Sequence, residues 1–198
     1  MSSIKSPAQL LTSTILVVDD RVENLKLMSE FLIGAGFEVL VAKSGKRAIG
    51  ILEQNSPDII LLDVMMPELN GFEVCQHLKT WEKTEDIPII LMSALDDFSN
   101  PTEKIKGLRL GAVDYISKPI QLEEVLMRIQ LHIKLSTLTK ELQEKNKQLE
   151  QEVEERKQRE TELRRTQAQL VDSATLENLG RLVSGFAHEI NNPIGILY

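Results

Sequence analysis

Three observations predict an α/β domain with a doubly wound parallel sheet, followed by a long α-helical coiled coil. Short β-branched runs alternate with helical periodicity through residues 1–120. Several of those runs are apolar throughout, as strands buried on both faces must be. From Gln121 to Leu179, 59 residues pass without a Gly or a Pro. At 1.5 Å per residue that stretch would span roughly 90 Å, too long for a compact domain of this size.

The elements follow in order. Strands are read at Ile15–Val18, Val39–Val41, Ile59–Leu62, Ile87–Met92 and Val113–Ile116. Between them, Leu25, Met28, Phe31 and Leu32 repeat at helical spacing, as do Ala48, Ile51 and Leu52. Phe72, Cys75 and Leu78 do the same, and later Ile105, Leu108 and Leu110. Five strands alternating with helices require right-handed crossovers and a parallel sheet. Beyond it, Leu135, Leu142, Leu149, Leu163 and Leu170 keep one seven-residue repeat, interrupted by Arg156. A heptad repeat predicts a left-handed coiled coil and a homodimer. The companion seam three residues on is poor: Leu138 is followed by Lys145, Glu152 and Arg159. A second series, Leu176, Leu179, Val183, Phe186 and Ile190, has a different phase. A local change of winding is therefore expected around Val171–Thr175.

Composition excludes several classes. The 198 residues are 42% apolar and carry a net charge of −7, ordinary for a folded chain. No run approaches the ~18 apolar residues that cross a bilayer, and the first residues do not read as a signal peptide. The single cysteine, Cys75, permits no internal disulfide and fits a cytoplasmic chain. An acidic balance argues against nucleic-acid binding. Residues 121–198 hold 11 basic and 13 acidic side chains, unlike a basic DNA-binding module.

The chemistry lies at the strand ends, where sites of such sheets form. The first strand ends in Asp19–Asp20, the third in Asp63, the fourth in Ser93, and the fifth runs into Lys118–Pro119. Three carboxylates brought together repel unless a cation sits among them. Oxygen-only ligands suit Mg²⁺. A lysine and a hydroxyl beside it suit a phosphoryl group, which one carboxylate could attack as nucleophile. The plainer alternative is that Asp19 and Asp20 cap the first helix. A phosphatase with an aspartate nucleophile is a weaker fit, since no D-x-D pair occurs at the first strand. Cys75 reads as a small core residue, Trp81 as the closure of the third helix, and His77 and His132 as surface or packing histidines.

The segments ILVVDD, LLDVMMPELNGFEV, IILMSAL and GAVDYISKP, in this order, resemble the receiver domain of two-component response regulators across residues 14–135. That resemblance implies a flavodoxin-like (βα)5 fold with strand order 2-1-3-4-5. It implies that Asp63 is the phosphoacceptor. Asp19, Asp20 and Asp63 would hold Mg²⁺ with the backbone carbonyl of Met65. Ser93 and Tyr115 would be the switch residues, and Lys118 would pair with Asp63 and then with the phosphate. The Lys118–Pro119 bond would be cis. The donor would be a cognate histidine kinase or a histidine phosphotransfer protein. Ser93 stands where the family more often has Thr. The segment Asp96–Thr102 is expected to be mobile.

Further on, GRLVSGFAHEINNPIGILY resembles the dimerisation and phosphoacceptor helix of sensor histidine kinases. There His188 would be the phosphorylated histidine, Glu189 its acid/base, and Asn192 the residue that positions water for phosphatase activity. No Gly-rich nucleotide box occurs, so autophosphorylation is not expected of these residues. The expected organisation is a loose segment 1–13, a receiver 14–135, a coiled-coil linker 136–175 and a histidine-kinase helix 176–198. The competing reading is a dimerisation scaffold whose receiver only binds partners.

Overall fold

The structure, a computed structural model, describes residues 13–94 and 101–190. In chain order the elements are β1 (Thr14–Val18), α1 (Val22–Gly34), β2 (Glu38–Ala42), α2 (Gly45–Leu52), β3 (Ile59–Asp63), α3 (Gly71–Thr80), β4 (Ile89–Ala94), α4 (Pro101–Arg109), β5 (Asp114–Lys118) and α5 (Leu122–Ile190). The five strands form one parallel sheet in the order β2-β1-β3-β4-β5. This is the flavodoxin-like order.

Strand parity divides the core. Ile15, Val17, Ile59, Leu61, Ile90, Met92 and Ile116 face Leu25, Met28 and Leu32 of α1 and Val125, Ile129 and Ile133 of α5. Leu16, Val18, Ile60, Leu62, Ile89 and Leu91 face the other way, toward α2 and α3. β3 is buried along its whole length, which explains its uniform IILL run. β2, at one edge, is buried only at its last residue.

Local chemistry sets the helix ends. Ser44 caps α2 by accepting the Arg47 N–H. Asn70 caps α3 in a reciprocal box with Glu73, and Trp81 closes it. The cap of α1 is Arg21, which makes no side-chain cap bond. Neither Asp19 nor Asp20 fills that position. α4 forms where the spacing places a helix, with Ile105 and Leu108 about half exposed. It is Gly107 that faces inward, where a Cβ would lie 2.7 Å from the Leu91 side chain and 3.4 Å from Phe72.

The chain divides into two compact units, Met1–Glu141 and Leu142–Tyr198. Within the second, the backbone is α-helical as far as Ile190. The backbone is α-helical through Val171–Thr175, where the change of winding is expected. Most of the segment Asp96–Thr102 lies outside the described residues; its last two open α4. Ser13, assigned above to a loose segment, is buried, and its carbonyl accepts the Glu38 N–H. Among the described residues no helix is long and apolar enough to cross a membrane.

Candidate phosphoacceptor site

Because the strands are parallel and in register, their carboxyl ends meet at one edge. Asp63 ends β3 opposite Met92, so Ser93 comes one residue further along β4. Ser93 in turn lies opposite Ser117, the neighbour of Lys118. Asp19 follows β1 and is held by its own N–H, which donates to the Ala42 carbonyl. One carboxylate oxygen each from Asp19, Asp20 and Asp63 falls within 4.8 Å of the others. Asp19 and Asp63 are buried; Asp20 is exposed.

Lys118 holds this cluster together. Its Nζ lies 2.8 Å from Asp63 Oδ2 and 3.0 Å from Asp19 Oδ2. Burial pushes the Asp63 carboxyl up from its ordinary range, and the Lys118 ammonium offsets part of that rise. Burial alone would lower Lys118; its bonds to Asp63 and Asp19 outweigh that and raise it. A buried carboxylate with an incompletely compensated charge is a more basic, less solvated nucleophile than a surface aspartate. The remaining Asp63 oxygen, Oδ1, accepts the Met65 N–H at 3.3 Å.

Asp19 is positioned from below. Its Oδ1 accepts the Arg21 N–H at 2.9 Å, and both of its oxygens accept from the Asn24 amide, at 3.0 and 2.9 Å. Sequence reasoning missed Asn24. Its signal was its place on the first turn of a helix that begins directly after the acidic pair. The β3–α3 loop is shaped by two close approaches. The Val64 N–H donates to Met92 O at 2.8 Å, and the Gly71 N–H to Val64 O at 3.0 Å. A Cβ on Gly71 would collide with the Asp63 carbonyl and lie 2.8 Å from Val64 Cα. Glu68 takes a positive φ of 66° in the same loop. The Lys118–Pro119 bond is cis.

Three carboxylates and one lysine leave two uncompensated negative charges at this edge. All the acidic donors are oxygens, and one of them faces solvent. The set fits a hard divalent cation that keeps part of its water shell, as Mg²⁺ does. Ser93 is buried beside the cluster, and Tyr115 is half-buried on β5. The Arg128 guanidinium lies 6.0 Å from the Tyr115 ring.

The sequence profile of the response regulator receiver domain matches residues 15–130. The chain belongs to this family. The chain is 38% identical over 148 residues to a protein of Vibrio cholerae described as a probable cyclic di-GMP phosphodiesterase, covering 75% of this chain and 33% of that one. It is 37% identical over 135 residues to response regulator PleD of Caulobacter vibrioides, covering 68% and 29%. It superposes with a TM-score of 0.56 on the signal receiver domain of a signal transduction histidine kinase from Syntrophus aciditrophicus. That match is 29% identical and covers 61% of this chain and 89% of the other. The chain spans about a third of the length of these two curated relatives. A receiver of this family works in two-component phosphorelay signalling.

A second polar cluster was not anticipated. Asp114 Oδ2 on β5 accepts from Arg128 at 2.6 Å and meets His132 Nε2 at 3.0 Å; Arg128 also pairs with Glu124. Glu124, Arg128 and His132 recur every four residues on α5, and Asp114 shares the strand parity of Ile116, which faces that helix. His132, read as a surface or packing histidine, has Asp114 as a partner. Cys75 is buried in the core, and His77 contacts Trp81 with ring centroids 6.5 Å apart. His188 and Glu189 belong to the helical backbone of α5, whereas Asn192 lies outside the described residues.

Proposed function

We propose that Asp63 accepts a phosphoryl group from the phosphohistidine of a histidine kinase or a histidine phosphotransfer protein. One observation carries this: the buried Asp63 carboxylate shares Lys118 with Asp19 at the carboxyl edge of the sheet. An Asp63 oxygen attacks phosphorus and a new O–P bond forms. The P–N bond breaks with its electron pair staying on that nitrogen of a donor ring protonated at its other nitrogen, so the ring leaves as neutral imidazole. Asp19, Asp20, Asp63 and the Met65 carbonyl would hold Mg²⁺. Bound there, it supplies charge neutralisation for the transferring oxygens. Lys118 is already within ion-pair distance of Asp63 and follows the charge onto the phosphoryl group. The Ser93 hydroxyl donates to a phosphoryl oxygen.

Phosphorylation adds about one further negative charge at this edge. Ser93 and Tyr115 then rearrange, and with them the face made by α4, β5 and α5. The exposed Ile105 and Leu108 of α4 suit a surface read by a partner. The output runs through α5, as a coiled-coil homodimer, to a histidine-kinase helix with His188 as phosphoacceptor, Glu189 as acid/base and Asn192 as water-positioning residue. On this reading the divisions are a receiver 14–135, a linker 136–175 and a kinase helix from 176, in a cytoplasmic protein.

The test is phosphoryl uptake from acetyl phosphate, read as intact mass with and without Mg²⁺. The wild type should gain one phosphoryl group only with Mg²⁺, and Asp63→Ala should gain none. No gain in the wild type, under conditions that label an active receiver, would favour a scaffold that binds partners without being phosphorylated.

A further inference from the structure

The second compact unit presents an apolar stripe to solvent. Leu142 is 60% exposed, Leu149 58%, Val153 50%, Leu163 58% and Leu170 65%. The spacing of the leucines leaves two choices for the second seam. Residues three further on are Lys145, Glu152 and Arg159, which are charged and leave Val153 unused. Residues four further on are Asn146, Val153, Glu160 and Gln167. The helix is unbroken here, so Leu142, Asn146, Leu149 and Val153 lie on one face at steps of four, three and four. In that phase the leucines are d residues, and Asn146 and Val153 are a residues. A β-branched residue at a with leucine at d favours two strands, and one asparagine at a sets register.

The flanking charges give an independent indication of orientation. In a parallel, in-register pair, each g residue faces the e residue five positions further on in the other helix. Lys145 of one copy then faces Glu150 of the other, and Glu152 faces Lys157. Both contacts are attractive, and both occur twice by symmetry. The next pair, Arg159 with Arg164, is repulsive. It comes where the core itself turns polar, at Arg156 and Glu160, so the zipper ends near Val153. Antiparallel pairing would place the Asn146 amide against a leucine and leave it without a hydrogen-bond partner.

We infer that Leu142–Val153 forms a parallel, in-register two-stranded zipper between two copies of this chain, with Asn146 meeting Asn146 across the axis. The inference rests on the reading that the chain dimerises through this helix, and adds its orientation, phase and register-setting residue.

The test uses the full chain. Cys75 can stay, because it is buried and burial pushes its thiol up to about 11. Sedimentation equilibrium first gives the oligomeric state. Leu142→Cys, Leu149→Cys and, as an outward control, Gln151→Cys are then each oxidised with glutathione disulfide. A disulfide needs Cα atoms within about 7 Å, and only a parallel, in-register pair brings both the 142 and the 149 positions that close to their own copies. The expected result is several-fold more interchain cross-link at 142 and at 149 than at 151. Asn146→Leu is expected to bind more tightly and to lose the unique dimer, giving higher oligomers. A monomer in sedimentation overturns the dimer reading and this inference together. A dimer that fails to cross-link at either core position overturns the zipper's orientation or register alone. An Asn146→Leu chain that stays a unique dimer overturns the role of Asn146.

Discussion

At the residue scale, two acidic groups on the same sheet are driven in opposite directions. Asp63 is raised, first by burial, because Lys118 is shared with Asp19 and compensates only part of its charge. Asp114 is lowered: burial would raise it, but the bonds from His132 and Arg128 outweigh that. A depressed carboxyl contributes stability that is present above its unfolded pKa and is lost as the pH falls through its folded value. Asp114→Asn should therefore cost about 1 kcal/mol at pH 7, a modest figure for a partly exposed pair. The gap to the wild type should narrow as the pH falls below 3.8, the ordinary value for this carboxyl. Urea unfolding of both proteins at pH 7 and pH 3 checks this. Arg128 retains Glu124 in the variant, so no cation is stranded.

At the element scale, the β3–α3 loop is where backbone geometry and chemistry meet. α3 begins so close to the end of β3 that only hydrogen fits at Gly71. The Asn70–Glu73 capping box fixes the helix start at the same point. Gly71→Ala should cost about 1–3 kcal/mol, as overpacking does. It should also slow phosphoryl uptake, because the displaced backbone carries Asp63. Denaturant unfolding together with uptake rate by intact mass tests both effects. α4 gives the contrasting case. Ile105 and Leu108 repeat at helical spacing and yet are about half exposed, while Gly107 lies close against Leu91 of the sheet. A periodic pattern locates a helix without saying which of two semi-apolar faces turns inward.

At the scale of the whole molecule, the first compact unit closes at Glu141, with Val125, Ile129 and Ile133 of α5 serving as part of its core. A chain ending after Glu141 should keep its helix and sheet signature. It should unfold in one cooperative transition, independent of protein concentration, and take up phosphoryl groups at the wild-type rate. The full chain should instead melt in a concentration-dependent way, as expected of a dimer. Circular dichroism melts at two concentrations a hundredfold apart distinguish the two behaviours.

The strands, the doubly wound class and the polar residues at the strand ends were legible because each rests on local pattern. IILLD reads as a buried strand ending in a carboxylate wherever it stands, and alternation of strands with helices admits few topologies. Asp19, Asp63 and Lys118 could be grouped from sequence because parallel strands deliver their carboxyl ends to one edge. What no local pattern carries is the pairing of side chains distant in the chain. That Lys118 bridges two carboxylates, that Asn24 steadies Asp19, that Asp114 meets Arg128 and His132, and that Gly107 is the seat of α4 all depend on how strands and helices are finally placed. Periodicity sets which residues share a face, whereas packing density and charge compensation in the folded chain set which of those faces meet.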